Sequence, residues 1–181
     1  MVTENLANVE KKIKEACERA GRSREEVTLI AVSKTKPIPL LEEAYQAGAR
    51  DFGENKVQEM MDKIPLLPDD INWHMIGHLQ RNKVKYLIGK TTLIHSVDSM
   101  RLAEEISRLS EKNNCLTDIL IEVNIAEEES KFGTSRDEAI SLVEAVSALG
   151  TLFLFCFVSF VSDWLISFVC LFSCVFLWIY F

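Results

Sequence analysis

With 181 residues, the chain is long enough for one ordinary domain with a sizeable core. Its formal net charge is −7, from 27 acidic and 20 basic side chains. That balance argues against a broad nucleic-acid surface, which needs clustered Lys and Arg. Cys17, Cys115, Cys156, Cys170 and Cys174 form neither a zinc pattern nor a C-x-x-C pair. The start, Met1 to Asn5, lacks the basic stretch and apolar run of a signal peptide. The body therefore reads as a cytoplasmic protein with free thiols.

Taken in order, the elements begin with an amphipathic helix carrying Leu6, Val9, Ile13 and Cys17, with Thr3 as N-cap and Gly21 after its end. Val27 to Ser33 is a continuous apolar run suited to a buried parallel strand. Helix is expected over Leu40–Ala47, strand over Ala49–Phe52, helix over Lys56–Ile64 and strand over Asn72–Ile76. A helix over Asn82–Ile88, a strand over Thr92–Val97 and a helix over Met100–Glu111, capped by Ser99, follow. Asp118–Asn124 is the clearest strand, and Ser135-Arg-Asp-Glu138 is a capping box opening a helix to Leu149. Five strand–helix units after a leading helix predict a parallel sheet, as a (β/α) barrel or an open doubly wound sheet.

In such folds polar residues gather at the C-terminal strand ends. Here those loops carry Ser33-Lys34-Thr35-Lys36, Gly53-Glu54-Asn55, Gly77-His78, His95-Ser96-Val97-Asp98, and Asn124 with Ser130-Lys131-Phe132-Gly133. No glycine-rich dinucleotide fingerprint and no P-loop occurs. Lys34 leaves a buried run directly, so partial desolvation would favour the neutral amine that attacks a carbonyl. By position alone it reads equally as a solvated lysine at a strand end. Glu54 and Asp98 each precede a helix, where the dipole favours a negative charge without any catalytic role. His74 and His78 lie four apart, but no third ligand is placed for a metal.

Five blocks in order resemble the pyridoxal phosphate homeostasis family: Ala31-Val-Ser-Lys-Thr-Lys-Pro37, Phe52-Gly-Glu-Asn-Lys-Val-Gln-Glu59, Trp73 to Lys83, His95-Ser-Val-Asp98 and Ser130-Lys-Phe-Gly133. The resemblance covers residues 1 to about 149. It implies a partial (β/α)8 TIM-type barrel like the alanine racemase N-terminal domain, the fold type III of pyridoxal-5′-phosphate (PLP) proteins. It makes Lys34 the Schiff-base lysine and places Asn55, His78, Ser96 and Asn124 around the cofactor. Asn55 would hydrogen-bond Lys34 or the ring hydroxyl, and His78 would pack on the pyridine ring or serve as a structural histidine. Lys131 reads as a second amine for transient capture or as a solvated loop lysine. Family members are implied to buffer PLP and pass it to apoenzymes, as monomers, more than to catalyse. A racemase also needs a second acid/base from another domain, and no candidate for it is seen.

The chain departs from the family after Gly150. Residues 152–181 use nine residue types, hold eight of the ten Phe, and carry Asp163 as their sole charge. The family's late Ser-Met-Gly-Met-Ser-like loop and Arg-x-Gly turn, which hold the phosphate, are not found. The expected organisation is a partial barrel over 1–150 and a hydrophobic tail over 151–181. The tail reads as an out-of-frame extension or as a membrane anchor, with an uncharged run of 18 residues from Trp164 to Phe181. A buried strand set is disfavoured because no Gly or Pro breaks the run. Two rival readings of function are a PLP-dependent racemase-like enzyme and a membrane-anchored module that has lost the cofactor.

Overall fold

The computed structural model describes residues 1–124, 132–156, 169–171 and 174–180. Helix α1 (Val2–Ala20) buries Val2, Leu6, Ile13 and Cys17 and stops at Gly21, whose φ of 65° few other residues adopt. The strands and helices then alternate: β1 (Val27–Val32), α2 (Ile38–Gln46), β2 (Asp51–Glu54), α3 (Val57–Lys63), β3 (Asn72–Met75), β4 (Leu93–Val97), α4 (Met100–Lys112), β5 (Thr117–Ile121) and α5 (Arg136–Ser147). Strands β6 (Leu152–Cys156), β7 (Val169–Leu171) and β8 (Cys174–Tyr180) follow.

The sheet order is β6-β5-β4-β3-β2-β1-β8-β7. From β1 to β6 each strand pairs in parallel with its neighbour in sequence. A doubly wound sheet reverses direction at a switch point; this sheet does not, so the order is that of a barrel. Packing agrees. Ala31, Phe52, Met75, Ile94 and Ile119, one from each of β1 to β5, share a single apolar cluster with Leu41, Ala44, Met60 and Ile106 of the helices. The alternate residues look the other way. On that inner face a Cβ on Gly53 would sit 3.0 Å from both Ile30 Cγ2 and Ile76 Cδ1.

The structure corrects several expectations. The segment read as a helix over Asn82–Ile88 is a 3-10 helix, Arg81–Tyr86, because a stretch this short closes i→i+3 bonds more readily than it nucleates an α-helix. Thr3 lies inside α1 and donates its hydroxyl to Glu43 instead of capping, while Ser99 holds the expected N-cap position of α4 without a side-chain cap bond. Strands form after Gly150 without Gly or Pro: β6 extends the sheet beyond β5, and β8 pairs in parallel with β1 from Val27↔Val175 to Val32↔Tyr180. Parallel pairing supplies the backbone partners that both neighbouring strands otherwise lack. No helix among the described residues is long and apolar enough to cross a membrane.

Candidate functional site

Beyond β1, Ser33 N donates to Gly53 O at 3.0 Å, continuing the ladder in which Val32 faces Gly53. Lys34 and Asn55 come next on the two neighbouring chains. Alternation along β1 assigns Lys34 to the inner face with Ile30, and the residue is half-buried. Thr35 turns the chain with a φ of 62°, unusual for a β-branched residue.

Gly77 joins three of the expected residues. A Cβ there would lie 2.5 Å from Asn55 O and 2.7 Å from Asn55 Cα, so the ends of β2 and β3 approach this closely only over a glycine. Ser96 Oγ donates to Gly77 O at 2.6 Å, which engages its hydroxyl with backbone. His78 is next in sequence; its Nδ1 lies 3.4 Å from Asp98 Oδ2, and its ring stacks on Phe132 with centroids 3.9 Å apart and planes at 14°. One face of His78 is therefore covered by Phe132, which the sequence did not disclose. Asn124 enters through the same segment: its N–H donates to Thr134 O at 2.9 Å, and the Thr134 N–H returns to Glu122 O at 2.8 Å. Asn55, Gln58, His78, Gln80 and Lys83 line a cavity of about 320 Å³ beside this cluster. Ser130 and Lys131 lie outside the described residues.

Two carboxylates differ from their sequence reading. Asp98 pairs with His78. Glu54 is the last residue of β2, fully buried, and accepts from Ser33 Oγ at 2.6 Å and Lys63 Nζ at 2.7 Å. Burial pushes its carboxyl up, against hydrogen bonds from Lys63 and Ser33. Lys63 also reaches Ser33 O at 2.8 Å and Glu59 Oε1 at 2.7 Å. Sequence reasoning missed Lys63 and Glu59, although their i,i+4 spacing was a visible signal. Glu122, on the inner face by alternation with Ile121 and Val123, is pushed up to about 7 by burial, with the charge of Asp98 adding to the effect.

His74 does not join His78. Its Nδ1 lies 3.0 Å from His95 Nε2, and its Nε2 3.0 Å from Asp51 Oδ1, all three within the strands β2 to β4 and not beyond their ends. No group of three metal-ligating side chains occurs among the described residues.

An amine, a neighbouring amide and an imidazole–carboxylate pair gathered at one end of the strands suit an aldehyde-bearing heteroaromatic. Comparison with known proteins points the same way. The family model described as alanine racemase, N-terminal domain, matches residues 5–163. A pyridoxal phosphate homeostasis protein of Aquifex aeolicus is 47% identical over 142 residues, covering 78% of this chain and 62% of the relative. Its counterpart in Escherichia coli K12 is 41% identical over 152 residues, covering 82% and 65%. The chain thus spans less than two thirds of these relatives' length. PipY of Synechococcus elongatus, solved with PLP bound, superposes with a TM-score of 0.75 at 31% identity, covering 91% of this chain and 73% of that one. An alanine racemase of Clostridium difficile shares the fold at a TM-score of 0.69 and 12% identity, covering 89% of this chain and 40% of that one. The chain belongs to the alanine racemase N-terminal-domain family, in its pyridoxal phosphate homeostasis group.

Proposed function

We propose that this chain binds pyridoxal 5′-phosphate at the ε-amine of Lys34 and acts as a cytoplasmic, monomeric carrier that buffers the cofactor for apoenzymes. The observation that carries this reading is the position of Lys34. It is half-buried at the C-terminal end of β1, next in line to Asn55 and its close approach to Gly77. The PLP bound in PipY, at 31% identity, supports it. The cofactor supplies an aldehyde carbon with which a primary amine condenses, releasing water. Lys34 provides that amine. Asn55 offers an amide to a hydroxyl or carbonyl oxygen at the same end. His78, stacked on Phe132, and Asn55 line the cavity of about 320 Å³ at this end of the strands. Asn124 and Ser96 act through the backbone, holding the loops at the same end.

The test is direct. The purified chain is mixed with PLP, reduced with borohydride and digested. A pyridoxyl mass increment on the Lys34 peptide, absent in Lys34→Ala, is the expected result. A folded sample without that increment overturns the reading. A second reading, a racemase-like enzyme, draws on Glu122, whose carboxyl near 7 suits proton transfer at neutral pH. Exchange of the α-hydrogen of an amino acid by the PLP-loaded protein separates the two.

A further inference from the structure

We propose that Glu59 and Lys63, backed by Glu54, are positioning residues that clamp the peptide groups on both sides of Lys34 and so set the aim of its amine. The inference rests on the PLP reading above for its consequence, but not for its geometry.

Lys63 projects from α3, on the helix side of the sheet, and its side chain is 8% exposed. Its three donors are all used: on Ser33 O at 2.8 Å, Glu54 Oε1 at 2.7 Å and Glu59 Oε1 at 2.7 Å. Ser33 is the residue before Lys34. Glu59 Oε1 also accepts the N–H of Thr35, the residue after Lys34, at 2.6 Å. Both flanking residues are thus tied to one ammonium–carboxylate group lying behind the sheet, while the Lys34 side chain projects from the other face. The same turn holds Thr35 at a φ of 62°. A β-branched residue keeps that conformation only where its surroundings over-determine it. The clamp supplies that determination. Ions taken out of water cost free energy, and a purely apolar helix contact would hold α3 to β1 as well. Precise placement of the turn gives the costly group a purpose. Burial raises the Glu59 carboxyl, yet hydrogen bonds from Lys63 and the Thr35 amide outweigh it and hold it below its ordinary value, so it stays an anion near neutral pH.

The experiment uses the full chain as wild type, Glu59→Ala, Thr35→Gly and the double variant, each checked for a cooperative thermal transition. Two quantities are read: the affinity for PLP, and the rate at which acetic anhydride labels Lys34 relative to Lys36 without cofactor. Glu59→Ala should weaken PLP capture about tenfold, the scale of one charge-assisted hydrogen bond. It should also change the Lys34 labelling ratio, because the amine is released from its aim. Thr35→Gly should bring both back to within about threefold of wild type in the Glu59→Ala background, since glycine accepts the left-handed turn without being held there. Glycine at this φ also relieves backbone strain in general, so a thermal transition that recovers while PLP capture and the labelling ratio do not marks a contribution to stability alone and overturns the clamp. Unchanged capture and labelling in Glu59→Ala, or a defect that Thr35→Gly leaves in place, overturns the clamp. If wild type forms no PLP adduct while the labelling ratio shifts and recovers as described, the clamp stands and the proposed function falls.

Discussion

The rim and the floor of this sheet use the same residue types to different ends. On the floor, His74 links His95 and Asp51 at 3.0 Å each, and both histidines are buried. At the rim, past the C-terminal ends of β3 and β4, His78 and Asp98 stand 3.4 Å apart, part-exposed, at the same end of the sheet as Asn55, Lys34 and Glu122. A histidine–aspartate pair on the floor is a closed structural unit. A similar pair at the rim borders space. Height along the strand decides which.

The two levels also titrate with opposite sign. Burial, reinforced by the charge of His74, holds His95 well below 6.5. Its contribution to stability is present above pH 6.5 and is lost as pH falls, because only the unfolded chain takes up the proton readily. Glu122 stands at about 7 against an ordinary 4.5. Its contribution is full below pH 4.5 and is lost as pH rises through 7, because the fold must then carry a buried anion.

This contrast can be broken in order of expected effect. Gly77→Ala forces a Cβ to within 2.5 Å of Asn55 O. It should lower unfolding free energy by about 3 kcal/mol in denaturant melts and remove the borohydride-trapped adduct at Lys34. His74→Ala leaves Asp51 and His95 without their shared partner and should cost about 2 kcal/mol. The adduct per folded molecule should persist, because the floor does not touch the cavity; loss of the adduct would erase the distinction between the levels. Glu122→Gln should flatten stability between pH 5 and 8, leaving the variant more stable than wild type at pH 8 by on the order of 2 kcal/mol. Urea midpoints across that range measure it. Phe132→Ala removes the ring stacked on His78 and should cost about 1 kcal/mol, with PLP affinity changed only a fewfold.

The strand–helix alternation was legible because β1 and β5 are compact apolar runs and the shorter strands between them are set off by helical segments and polar loop residues. The rim was legible for the same reason: Lys34, Asn55, His78 and Asn124 stand where strands become loops. Thr3 and the Arg81–Tyr86 segment misled because caps and 3-10 turns depend on what the terminus meets, as Thr3 meets Glu43. The strands after Gly150 were not foreseen, because a uniformly apolar stretch has no period to read.

By itself, then, the sequence determined the number and order of the parallel units from β1 to β5 and the lysine at the end of β1, since both follow from local apolar periodicity. The residue pattern alone left barrel and doubly wound sheet open; the family resemblance implied the barrel, and the strand order shows it. Only the tertiary structure put Phe132 on His78 and moved Glu54 from an expected helix start to a buried ion group with Lys63 and Glu59. Those outcomes depend on which residues distant in sequence arrive side by side, and no local pattern encodes that.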